Sequence, residues 1–79
     1  MDSSTITLKE LLIRLKDLTV GGMQNSREYE EVTSEYYDVL FSEDTPESEK
    51  LEAIEFIKNN MSSFGETAEA FILIIKENL

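Results

Sequence analysis

Leu8, Leu11, Leu12, Leu15 and Leu18 recur at intervals of 3, 1, 3 and 3. That spacing forms one stripe of an α-helix and no single face of a strand. The chain has 79 residues and no cysteine. Neither a disulfide nor a thiolate-bound zinc can brace it, so the leucine stripe must be covered by other parts of the same chain or by a partner. Thr7 stands immediately before the stripe and Glu10 three residues later, the spacing of a capping box. Ile6 and Leu11 stand where a hydrophobic staple would clamp the helix entry. Gly21-Gly22 supplies a stop, because glycine adopts the left-handed cap conformation at little steric cost. The spacing predicts a helix over 8–19, with Ile13 off the stripe and exposed.

Three further helical patterns follow. Asn25 is suited to cap the second, with Glu28 in its third position. Tyr29, Val32, Tyr36, Val39 and Leu40 continue at helical spacing over 26–41. A strand would put Val32 and Tyr36 on one face with acidic and polar neighbours, so the helical period is preferred over the strand propensity of these residues. Tyr36 and Tyr37 cannot both face inward. Thr45-Pro46-Glu47 combines a capping hydroxyl, a fixed φ and a carboxylate at the positive end of the helix dipole. It opens a helix over 46–60 with Leu51, Ile54, Ile57 and Met61 as its apolar stripe. Ser62 or Ser63 would cap the fourth helix, 63–77, with Gly65 in its first turn and Phe64, Ala68, Phe71, Ile72, Ile75 and Leu79 on one side. The run Phe71-Ile72-Leu73-Ile74-Ile75 also suits a buried strand, but a lone strand has no ladder partner and a helix is favoured. The expectation is an all-α single domain, 1–79, built as a bundle of about four short helices joined by short connections.

Charge narrows the function. Seventeen Asp and Glu stand against seven Lys and Arg, with no histidine, for a formal net charge of −10. Residues 1–27 carry four bases and three acids, and residues 56–79 two bases and three acids. Residues 28–55 carry eleven acids against Lys50 alone, so the whole excess lies in the middle of the chain. Direct binding to nucleic acid needs clustered Lys and Arg, and an anionic membrane surface would repel this chain. The longest apolar run, Ala70–Ile75, is far short of the roughly 20 residues of a spanning helix. The N-terminal Met1-Asp2-Ser3-Ser4 lacks the basic and apolar regions of a signal peptide, and with zero cysteine the expected compartment is the cytoplasm.

Catalytic chemistry is poorly supplied. Without His or Cys the usual general base, metal ligand and thiol nucleophile are missing. Gly21-Gly22 lacks the lysine, the hydroxyl residue and the preceding strand of a phosphate loop, and no Gly-x-Ser-x-Gly occurs. Ser42-Glu43-Asp44-Thr45-Pro46-Glu47 lacks the alternating ligands and central glycine of a calcium loop. Paired carboxylates could hydrolyse a glycoside, but a bundle this small offers little room for a sugar cleft. No cofactor, metal or enzymatic activity is expected.

Two surfaces remain as candidates. Glu28, Glu31, Glu35 and Asp38 recur at 3, 4 and 3 and form one row on the second helix. Like charges at that spacing each cost a few tenths of a kcal/mol, which suits either a solvated face or one that meets a positive surface. With Tyr37 as an anchor and Glu43, Asp44 and Glu47 in the following loop, this row is the candidate face for a basic protein partner. A row of carboxylates can stand in for phosphates, which makes a nucleic-acid-handling protein (a replication, transcription or nucleoid factor) the favoured target. The second surface is apolar: Phe71, Leu73 and Ile74 exceed what one stripe of the last helix can bury and would suit a homodimer or an adaptor contact. In size, charge and lack of catalytic residues the chain resembles the small acidic helical proteins that phages encode to seize or silence host machinery. That resemblance implies a regulator or inhibitor of a larger host protein and transfers no site. An immunity protein or antitoxin neutralising a basic toxin shares the same docking logic.

Overall fold

Thr7 starts the first helix as its spacing predicts. Its Oγ1 accepts a hydrogen bond from the Glu10 backbone N–H at 3.2 Å and donates to the Glu10 carboxylate at 3.3 Å. In the computed structural model, which describes residues 6–79, helix α1 then runs Leu8–Val20. It is followed by α2 (Arg27–Leu40), α3 (Glu47–Lys58), α4 (Met61–Phe64) and α5 (Thr67–Glu77), with no strand among the described residues. The Met1-Asp2-Ser3-Ser4 stretch read above lies outside the described residues.

The leucine stripe of α1 is the centre of the molecule. Leu8, Leu11, Leu12 and Leu15 are fully buried, and Leu18 is partly covered. Helices α2, α3 and α4 pack around α1, and α5 packs on α3 and α4. The principal extents are 32 × 28 × 17 Å. The short axis holds two helix layers at the usual interaxial spacing of about 8–10 Å. A chain of rings crosses the core and ties the later helices together. Tyr36 of α2 meets Phe71 of α5 at 5.4 Å, Phe71 meets Phe64 of α4 at 6.1 Å, and Phe64 meets Phe56 of α3 at 6.1 Å. The last two contacts are edge-to-face, the arrangement that the ring quadrupoles favour.

Several local expectations are corrected. Ser26, not Asn25, caps α2, accepting from the Tyr29 N–H at 3.2 Å. Thr45 does not cap α3; its hydroxyl donates to the Val39 carbonyl at 2.6 Å, and Pro46 takes the cap position with no side-chain bond. Leu51 and Met61 lie outside the core at 49% and 39% exposure, and the buried face of α3 is Ala53, Ile54 and Ile57. The single helix expected over 63–77 is two helices. Gly65 adopts φ +65°, ψ −137°, a conformation open to glycine and hostile to side chains, and the chain turns there between α4 and α5. The run Phe71–Ile75 is helical throughout.

Candidate binding face

The acidic row lies on α2 where the spacing puts it. Glu28, Glu31, Glu35 and Asp38 are all exposed, as are Glu43, Asp44 and Glu47 beyond the helix. Neighbours three or four apart on a helix stand about 5–6 Å apart at Cβ, and at 1.5 Å per residue the row is about 15 Å long. The buried face of the same helix, Val32, Tyr36 and Leu40, fixes its rotation and so turns the row outward. Of the eleven acids between 28 and 55, ten are exposed and Glu49 is half-buried.

At the end of the row the carboxylates meet apolar surface. An open hollow there is lined by the apolar Ile6, Val39 and Pro46 together with Asp38, Asp44, Glu49, Ser42 and Thr45. The loop that builds it is held locally. The Asp44 N–H donates to the Ser42 hydroxyl at 3.2 Å, the Thr45 N–H to the Ser42 carbonyl at 3.3 Å, and the Thr45 hydroxyl to Val39 as above. A lining of apolar side chains and carboxylates matches a lysine or arginine side chain, whose stem is aliphatic and whose head is cationic.

The structure does not bring Tyr37 to the acidic row. At 3.6 residues per turn it lies about 140° around α2 from the middle of the row. It is half-buried there, stacked on Phe41 at 5.7 Å with 14° between the rings and edge-on to Tyr36 at 5.2 Å. Burial raises the Tyr37 phenol above its ordinary value of 10.0, with the neighbouring Tyr29 adding to the effect. Tyr36 is raised further, first by its burial and then by Tyr37. Its hydroxyl is buried without a hydrogen-bond partner among the described residues.

Of the apolar candidates, Phe71 is buried at 5% exposure in the ring chain, and Ile74 is half-buried. Leu73 alone of the three is exposed, at 59%. Two residues of the acidic segment hold structural bonds that spacing did not reveal. The Glu49 carboxylate accepts from the Leu8 backbone N–H at 2.8 Å, satisfying an orphan donor at the start of α1 from 41 residues away. Lys50, the sole cation of the segment, donates to the Asn78 carbonyl at 2.8 Å, beside the C-terminal end of α5. Among the described residues no three carboxylates converge to hold a metal ion, and no helix is long and apolar enough to cross a membrane. Compared with known proteins, the chain matches no family model, no curated protein and no solved structure.

Proposed function

We propose that this chain is a non-enzymatic binding protein that regulates or inhibits a larger protein by docking its acidic face on a basic surface. The observation that carries this reading is the concentration of the net charge. Ten exposed carboxylates lie between residues 28 and 55, and the one lysine among them is bonded at the end of α5. The hollow between Asp38, Asp44 and Glu49 adds a seat for a basic side chain at the end of the row. The row of Glu28, Glu31, Glu35 and Asp38 favours a partner evolved to hold phosphates, a nucleic-acid-handling protein of a host cell. A small phage- or mobile-element-encoded regulator acting in the cytoplasm fits that role.

The triple variant Glu31→Lys, Glu35→Lys, Asp38→Lys tests it. Immobilised wild-type chain should retain a basic protein from bacterial lysate at low salt and release it as the screening length falls from about 10 Å at 0.1 M toward 3 Å at 1 M. The triple variant should retain none of it, with unchanged helical circular dichroism. A DNA duplex should compete for the retained protein. Equal retention by the wild type and the triple variant would overturn the proposal.

A further inference from the structure

We infer that the outer face of α5 pairs with the same face of a second copy of this chain, antiparallel and about a twofold axis between Ile72 and Leu73. Glu69, Ile72, Leu73 and Lys76 stand at helical intervals of 3, 1 and 3 and line one shallow hollow on the surface of α5. Leu73 is 59% exposed and Ile72 half-buried, so the middle of this face is apolar, while Glu69 and Lys76 close its two ends with opposite charges. The buried side of the helix, Ala68, Phe71 and Ile75, is already occupied by the core.

A twofold contact must be self-complementary: if one residue meets a second, the second meets the first. An antiparallel pairing centred between Ile72 and Leu73 satisfies this in charge and in hydrophobicity. It sets Ile72 against the partner's Leu73, and Glu69 against the partner's Lys76. A parallel pairing would set Glu69 against the partner's Glu69 and Lys76 against the partner's Lys76. The arrangement of charge therefore selects both the occupant and its direction. Residues 56–79, with two bases and three acids, also form a part of the chain that a copy with net charge −10 can approach with little repulsion.

One face of an eleven-residue helix is a small interface, below the roughly 1,200 Å² of stable complexes, so weak association is expected. Sedimentation equilibrium on the full chain from roughly 1 μM to roughly 1 mM covers the range of weak association. Glu69→Lys and Lys76→Glu should each weaken association about tenfold or more, because each sets like charges together twice. The double variant Glu69→Lys, Lys76→Glu should restore it, and an equimolar mixture of the two single variants should form a heterodimer. Leu73→Asp should abolish pairing; all three positions are exposed, so helical circular dichroism should persist. A chain that stays monomeric across the range overturns the inference. So does a dimer that is indifferent to these charge reversals, or one that the double variant fails to restore.

Discussion

The Tyr36 hydroxyl is a polar atom inside an otherwise apolar core, with no hydrogen-bond partner among the described residues. Such a group keeps its desolvation cost unmatched, so Tyr36→Phe should stabilise the fold by about 1 kcal/mol at neutral pH, measured by urea unfolding. Its titration gives a second readout. Because burial raises the phenol above its ordinary value of 10.0, the folded state holds this proton more tightly than the unfolded chain. The phenol's contribution is intact below 10.0 and is lost as pH climbs above it. The buried Tyr36 phenol lowers stability by up to about 1.4 kcal/mol per pH unit in that window. Tyr36→Phe should remove the larger part of the alkaline slope and leave the smaller part due to Tyr37. The adjacent tyrosines illustrate what was legible in the sequence: helical period alone says that one of the pair turns outward. Which hydroxyl would lack a partner depends on α5, more than thirty residues later in the chain.

Helix α5 exists as a separate element because of Gly65. A Cβ added there would meet nothing within 4 Å, so the obstacle to a side chain is the backbone conformation at φ +65°. Gly65→Ala should therefore destabilise the fold by about 1–3 kcal/mol in urea unfolding, whereas the same change at exposed Ser62 should be close to neutral. Local rules recovered the helices and much of the buried face. The leucine stripe and the Thr7 cap are set within a few residues, and both hold. The rules failed where two local choices were nearly equal or the deciding contact was distant. Asn25 and Ser26 are both good capping residues, and the position of Tyr29 decides between them. Thr45 has the right hydroxyl for a cap, but the Val39 carbonyl reaches it first across the loop. Leu51 lies at helical spacing from Ile54 yet stays 49% exposed, while Ala53 on the other side of Ile54 is buried, so the buried face of α3 is turned from the one the spacing marked. Gly65 reads equally well as a tolerated helix residue until its dihedral angles are known.

At the scale of the whole molecule, the charge that marks the candidate face also strains the fold. A net charge of −10 on a body 17 Å thin repels itself, and added salt should raise the melting temperature until that repulsion is screened. The triple reversal on α2 replaces one negative by one positive charge at each site, taking the net charge from −10 to −4. It should raise the melting temperature at low salt while abolishing partner binding, a pairing of effects that separates a docking face from a solvated one. The apolar core and the acidic row were both legible from residue types and intervals; the hollow beside Asp38 was not, since Ile6, Val39 and Pro46 meet only in the folded chain. One bond across that chain has a kinetic consequence. The Leu8 amide belongs to the first turn of α1, where backbone protons ordinarily exchange freely with water. Here it is held by Glu49 of α3, so its deuterium uptake should follow the parting of these two helices rather than the fraying of one. In Glu49→Leu the exchange should quicken at Leu8, while Leu15, deep in the same helix, keeps the rate set by opening of the core. A single amide near the start of the chain thus acts as a clock for the opening of the fold.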